Sequence, residues 1–235
     1  MKTLIIISHP EIKDSGTQAF LKGALRNLNG VTWHGLDTKY PDYQIDVAAE
    51  QKQLVAADRI IFQFPLYWYS SPALLKQWED DVLTRNFTQV NQDGRLAGKQ
   101  LGIVVTLGTA AKNYTVGGSE GVSISELMKP FQAVAKQAGM DFLPPFVVDR
   151  FKYQTAQQKA HLLFDYQNYV NNPHPATFKG QQDWVIERLR DKASREGDAT
   201  RQTLLNLTID QIEQNEAELA SLKDQIEMIK RGDDE

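Results

Sequence analysis

An α/β fold is expected of this chain: a doubly wound, five-stranded parallel sheet with a helical extension at its C-terminal end. Three features lead there. Five short apolar runs, rich in β-branched and aromatic residues, recur between Thr3 and Val148, as buried parallel strands should. Stretches with helical spacing separate them, and such alternation belongs to a sheet covered on both faces. Beyond Asn171 the strand signal stops, while Leu and Ile recur at helical intervals.

The first run, TLIIIS (3–8), is only strand length, and no small-residue cleavage pattern follows it, so MKTLIIISHPEIKD reads as a first buried strand. SGTQAFLKGALRNL then has helical spacing. VTWHGL (31–36) is strand two, DVAAEQKQLVAA a helix, and RIIFQF (59–64) strand three. SPALLKQWEDDVL gives the next helix, LGIVVT (101–106) the fourth strand, and SISELMKPFQAVAKQAG a helix that Gly139 stops. DFLPPFVV (141–148) is the fifth strand, with a last helix expected near 155–170. These elements make one domain over residues 1–171. NNPHPATFKGQ, with two prolines and a glycine, marks a linker over 172–182. From 183 to 235 a helical extension follows. There Leu205, Ile212, Leu219 and Ile226 recur every seven residues, with Leu222 and Ile229 at the companion position and Thr208 and Asn215 interrupting. The pattern fits a coiled coil or helical hairpin, and equally a long helix laid against its own domain.

The bulk properties narrow the function. The chain has 235 residues, 41% hydrophobic and 24% charged, the make-up of an ordinary globular protein. A formal net charge of −4 offers nucleic acid no general attraction. There is no cysteine, so disulfides, thiolate metal sites and cysteine nucleophiles are excluded; no metal site is expected, and a cytoplasmic location is. No stretch approaches the roughly 20 apolar residues of a membrane-spanning helix, so no membrane insertion is expected.

A doubly wound sheet binds ligands beyond the carboxyl ends of its strands, at the switch point, which directs attention to the loops after strands one, three and four. In the first, SHPEIKDSGTQAF, Ser15, Gly16 and Thr17 stand at a helix start, where free N–H groups and the positive dipole end favour an anion such as phosphate. The alternative is plain capping by Asp14 or Ser15. Neither the P-loop nor the G-x-G-x-x-G pattern occurs, which argues against an NTPase and a dinucleotide-binding dehydrogenase. His9 is a contact for a phosphate or ribityl group, or a structural donor. The second loop, in FQFPLYWYSSPALLKQW (62–78), gathers Leu66, Tyr67, Trp68 and Tyr69 behind Pro65, which stiffens the turn. A flat ring would stack on Trp68; otherwise the aromatics cover the sheet end or form a dimer contact. The third, TLGTAAKNYTVGGSEG (106–121), is glycine-rich, so its backbone can approach a ligand closely, unless it is an ordinary mobile loop. Tyr114 within it is a candidate proton donor or anion stabiliser, or a packed residue.

Together, FQFPLYWYSSPALLKQWEDDV, SHP followed by SGTQ, the tract YPDYQIDVAAEQ and the spacing of Thr106, Gly108 and Tyr114 resemble the flavodoxin-like NAD(P)H:quinone oxidoreductases. The small bacterial members, which include ancillary flavoproteins of glutathione-gated potassium efflux systems, are the most similar. The resemblance covers residues 1–171 and leaves the extension unmatched. It implies a flavodoxin-like sheet of order 2-1-3-4-5, a bound FMN (FAD being the alternative), and NAD(P)H as co-substrate. Hydride would pass by a ping-pong route through flavin N5 to a quinone-like acceptor. It further implies that His9, Ser15, Gly16, Thr17 and Gln18 hold the flavin phosphate side. Pro65, Leu66, Tyr67, Trp68 and Tyr69 would line the isoalloxazine, Thr106, Leu107, Gly108 and Thr109 would close over it, and Tyr114 would stand near N1 and O2 as the catalytic group. A homodimer completing the pocket is implied as well. Two departures stand out: Thr106-Leu107-Gly108-Thr109 replaces the common Thr-Thr-Gly-Gly, and Glu120 occupies the place of a frequent histidine. A carboxylate beside a reduced, anionic flavin is repulsive unless protonated or turned to solvent. Three other readings compete: a flavodoxin-type electron carrier, a flavin-binding regulatory subunit acting on a partner such as a transporter through its C-terminal helices, and a cofactor-free interaction module.

Overall fold

The structure, a computed structural model, describes residues 1–88 and 94–232. In chain order the strands are β1 (Thr3–Ile7), β2 (Val31–Gly35), β3 (Arg59–Pro65), β4 (Gln100–Leu107), β5 (Asp141–Phe142) and β6 (Phe146–Asp149). The helices are α1 (Gly16–Ala24), α2 (Leu36–Lys39), α3 (Val47–Ala56), α4 (Ala73–Val82), α5 (Arg85–Thr88), α6 (Ile124–Leu127), α7 (Lys129–Gln137), α8 (Ala156–Asn171), α9 (Phe178–Arg195) and α10 (Ala199–Gly232). The strands form one parallel sheet in the order β2-β1-β3-β4-β5, with β6 also paired to β4. The switch in winding direction falls between β1 and β3, as the doubly wound pattern requires.

Strands buried on both faces explain the unbroken apolar runs. Leu4, Ile6, Ile60, Phe62, Phe64, Ile103 and Val105 face a core shared with Leu54, Leu75, Trp78 and Phe131 of α3, α4 and α7. The alternate residues Ile5, Ile7, Ile61 and Val104 meet Leu21 of α1 and Leu162, Tyr166 and Val170 of α8. Gly102 of β4 is obligatory here, because a Cβ would lie 2.7 Å from the Tyr169 hydroxyl, which accepts from the Ile103 N–H at 3.0 Å. The expected fifth strand is in fact two. Pro144 and Pro145 supply no N–H to the ladder, so pairing stops after Phe142 and resumes at Phe146. The helix expected over 123–139 likewise divides at Met128, with Pro130 in the first turn of α7.

The chain separates into two compact units, Met1–Pro173 and His174–Glu235. Arg59 closes the first. Its buried guanidinium donates to the carbonyls of Tyr169 (2.5 Å) and Asn172 (2.6 Å) at the C-terminal end of α8 and to Gln100 Oε1, and desolvation lowers its pKa to about 10. In the second unit α9 and α10 form a helical hairpin, joined by the ion pairs Lys179–Glu216 and Arg190–Glu213. Thr177 caps α9 by accepting from the Gly180 N–H, so this helix begins at Phe178, inside the 172–182 stretch that composition marks as linker. The end of the expected extension, residues 233–235, lies outside the described residues.

Candidate functional site

The loops that follow β1, β3 and β4 gather at the carboxyl edge of the sheet, and almost every residue expected at the site lies on them. Ser15 is the N-cap of α1, its hydroxyl accepting from the Gln18 N–H at 3.3 Å. That leaves the N–H groups of Gly16 and Thr17 with no backbone acceptor among the described residues, and open space stands where a Gly16 Cβ would be. The buried Ser8 hydroxyl also lacks a partner among the described residues. These unmet donors at the positive end of a helix suit a phosphate. His9 is buried, its N–H donates to Asp37 Oδ2 at 2.7 Å, and its Nδ1 accepts from the Glu11 N–H at 3.2 Å. Burial lowers its pKa, against the opposing pull of Asp37 and Glu11. A neutral ring that accepts at Nδ1 carries its proton on Nε2, a free donor for an anion. Gln18 is buried: its Oε1 accepts from Gln63 Nε2 at 2.6 Å while Tyr166 donates to Gln63 Oε1 at 2.7 Å, and its Nε2 has no hydrogen-bond partner among the described residues.

After β3 the chain turns sharply. Tyr67 and Ser70 exchange backbone hydrogen bonds (2.9 and 3.0 Å), and the two residues between them, Trp68 and Tyr69, both have left-handed backbones, with φ of 46° and 64°. Their own N–H groups meet no backbone acceptor among the described residues. The Trp68 side chain is 94% exposed, and Tyr67 and Tyr69 are exposed beside it. Leu66 behaves otherwise: it packs against the core, and its N–H donates to the Thr106 carbonyl, tying the second loop to the third. Pro65 ends β3 in register with Thr106.

In the third loop Leu107 is likewise a core residue, so a ligand could meet only its backbone, whereas Gly108 and Thr109 are exposed and their N–H groups meet no backbone acceptor among the described residues. The rest of the loop folds on itself: Ala111 donates to Asp149 Oδ2 at 2.8 Å, Glu120 donates to the Asn113 carbonyl at 3.2 Å, and a Cβ on Gly118 would clash with that carbonyl at 2.2 Å. Tyr114 is half-buried against the core at the loop's base. Glu120 accepts from the Tyr69 hydroxyl at 3.1 Å, a link between the second and third loops; the neighbouring carboxylate raises the Tyr69 pKa. The departure from the usual histidine therefore has a partner in the aromatic turn.

Sequence reasoning missed the groups that hold these loops. Glu50 of α3 is wholly buried, and its carboxylate accepts from His34 Nε2 (2.8 Å), Lys39 Nζ (3.0 Å), Tyr40 Oη (2.6 Å), Trp78 Nε1 (2.9 Å) and Gln53 Nε2 (3.3 Å). Burial alone would raise its pKa, but these donors hold it at about 2. The cluster fixes α2, and Asp37 on α2 fixes the His9 loop. A Glu in register with Leu54 on the buried face of a helix was the available signal. Among the described residues no group of acids and histidines could hold a metal, and no helix is long and apolar enough to cross a membrane.

Comparison with known proteins extends this picture. A family model described as having a flavodoxin-like fold, Flavodoxin_2, matches residues 1–170. The chain is 46% identical over 146 residues to the uncharacterized NAD(P)H oxidoreductase YrkL of Bacillus subtilis, covering 62% of this chain and 84% of that one. It is 36% identical to the glutathione-regulated potassium-efflux system ancillary protein KefG of Erwinia tasmaniensis, covering 74% and 95%. Among solved structures, an NADPH-quinone reductase from P. pentosaceus superposes with a TM-score of 0.69 at 46% identity, covering 73% of this chain and 99% of that one. General stress protein 14 of Treponema denticola, in complex with FMN, gives 0.67 at 36% identity, covering 72% and 98%.

Proposed function

Since the chain belongs to the Flavodoxin_2 family, we propose that its first unit is an FMN-dependent NAD(P)H dehydrogenase that delivers two electrons to a quinone or similar acceptor. The observation that carries this reading is the turn at Trp68 and Tyr69. Two adjacent non-glycine residues in the left-handed region cost on the order of 1–3 kcal/mol each, and such strain collects at ligand clamps. Here it turns an exposed indole and two unmet N–H groups to the carboxyl edge of the sheet.

FMN, the cofactor in the T. denticola relative, would supply a ring that accepts hydride at one step and releases it at the next. The chain's own residues do the rest. Gly16, Thr17 and the Nε2–H of His9 would hold the phosphate. Backbone N–H groups of Trp68, Tyr69, Gly108 and Thr109 would face the polar edge of the ring, and the Tyr67, Trp68 and Tyr69 side chains would exclude water from its face. Tyr114 would donate its hydroxyl to negative charge developing at that edge, an electrostatic role. With this reading go NAD(P)H as co-substrate, a homodimer and a cytoplasmic location. A second reading draws on the similarity to KefG: an ancillary flavoprotein that acts on a transporter through its C-terminal helices.

The test is the visible spectrum of the purified full chain, chromatographic identification of the released flavin, and NADH and NADPH oxidation with a soluble quinone. One FMN per chain and quinone-dependent turnover are expected. Protein that stays colourless after incubation with excess FMN and FAD overturns the proposal. Flavin without turnover, together with co-purification of a transporter, favours the second reading. Tyr114→Phe should slow turnover by roughly tenfold while retaining flavin, and equal rates would leave Tyr114 a packing residue.

A further inference from the structure

α10 has 34 residues and its hairpin partner α9 only 18, so α10 runs on past the hairpin by roughly four turns. Only one face of α10 is covered by α9: there Ile209 is 4% exposed and Leu205 and Ile212 are half-buried, whereas Leu204 and Leu207, off that face, are exposed, and the covered face ends at Glu216, which pairs with Lys179. Farther along, Leu219, Leu222, Ile226 and Ile229 are between 44% and 64% exposed. Their spacing of three, four and three residues places them on one stripe, turned by about a quarter revolution from the face that meets α9. This is the a and d seam of a two-stranded coiled coil, with Leu219 and Ile226 at a and Leu222 and Ile229 at d.

The flanks of the stripe identify what covers it. Glu218 is then a g residue and Lys223 the e residue of the following heptad. In a parallel pair of identical helices in register, each Glu218 faces Lys223 of the other copy, one attraction on each side of the seam. An antiparallel pair would instead set e against e and g against g, so that Glu218 and Lys223 would not meet. Asn215 occupies the preceding d position, exposed, and its Oδ1 accepts from Gln211 Nε2. In the parallel pair the two copies of Asn215 meet across the seam, where a polar layer penalises any shift of register. We propose that the distal part of α10, from Asn215 to Ile229, pairs in parallel and in register with the same segment of a second copy of this chain. The pairing does not depend on flavin or turnover.

The chain has no cysteine, so one introduced thiol reports on the pairing in the full-length protein. Leu222→Cys places it in the seam and Asp224→Cys on the outer face of the same turn. Under mild oxidation Leu222→Cys should give a reductant-sensitive, disulfide-linked dimer, and Asp224→Cys should give little. In the Leu222→Cys background, Lys223→Glu sets like charges against each other and should lower cross-linking by about tenfold, while adding Glu218→Lys should restore it. Circular dichroism checks that all variants keep their helix content. Equal cross-linking at 222 and 224, none at 222, or indifference to the charge reversal would each overturn the proposal, as would a different protein found cross-linked at 222.

Discussion

Ile5, Ile6 and Ile7 of β1 are wholly buried, whereas Leu219, Leu222, Ile226 and Ile229 of α10 are each about half exposed. Both runs are apolar, but a central parallel strand is covered on two faces by helices of its own chain, while the part of α10 that runs past its hairpin partner keeps one stripe half exposed. Charge divides the regions in the same way. In the first unit the polar groups that go inside are knit together, as at Glu50 and Arg59, and the second unit keeps its ion pairs, Lys179–Glu216 and Arg190–Glu213, at the surface. The family match covers residues 1–170 and leaves the hairpin aside. A glutamate is thus a structural pivot in one unit and a minor surface charge in the other.

Removing carboxylates from both regions sharpens that contrast most. Glu50→Ala strands three buried donors, on His34, Tyr40 and Trp78, and should destabilise the first unit by about 3–5 kcal/mol, read from denaturant midpoints. Glu213→Ala should cost less than about 1 kcal/mol. Similar losses for both would break the comparison. Acid titration adds a second check. The Glu50 pKa falls from 4.5 unfolded to about 2 folded, so its contribution is complete above pH 4.5 and disappears as pH drops toward 2.

Glu79 of α4 provides the opposite sign within the same unit. It is buried, its Oε1 lacks a partner among the described residues, and desolvation raises its pKa from 4.5 to about 7. A raised carboxyl pKa stabilises fully below pH 4.5 and loses that contribution as pH climbs through 7. Glu79→Gln should therefore raise stability at pH 8 by as much as about 3 kcal/mol and change little at pH 4, where the native carboxyl is already protonated. No difference between the two pH values would mean that Glu79 gains a partner in solution.

How legible these features are in the sequence follows from the same physics. Strands buried on both faces announce themselves as TLIIIS and RIIFQF because most positions are apolar, and the aromatic turn stands out because exposed aromatics in a loop are unusual. Pro144 and Pro145 were in plain view, yet whether they end a strand or only bend it depends on ladder bonds that no periodicity reports. The site is less legible. Gln18 enters as a phosphate contact only through the family resemblance, and the groups that hold its Oε1, Gln63 and through it Tyr166, lie far along the chain. Leu66 and Leu107 sit in ligand loops and still point into the core, since side-chain direction at a strand end is set by the pleat. Glu50 could be suspected but not placed, because its donors come from four separate elements.

Within the first unit, the phosphate end and the aromatic turn should differ in degree. Thr17→Glu puts a carboxylate among the unmet N–H groups at the start of α1, repelling phosphate and occupying its donors, and should weaken FMN binding by roughly 2 kcal/mol or more. Trp68→Ala should cost about 1 kcal/mol in FMN affinity and nothing measurable in stability, because the indole is already 94% exposed. A fall in melting temperature for Trp68→Ala would show that the turn packs against a surface, such as a second subunit, and would move it from the ligand side of the comparison to the interface side.

The smallest change in chemistry is expected from the largest deletion. The loops carrying Gly16, Trp68 and Tyr114 all precede α8, and Arg59 pins the end of α8 through the carbonyls of Tyr169 and Asn172, so a chain ending at Pro173 retains these hydrogen bonds. Such a chain should bind FMN and oxidise NAD(P)H within about twofold of the full protein, a difference near 0.4 kcal/mol. What should change is assembly: light scattering should report any association that depends on α10 as lost, while association through the first unit survives. Loss of flavin on truncation would mean that residues beyond 173 build part of the pocket, and the division between a unit that closes on itself and a hairpin that awaits a partner would fail.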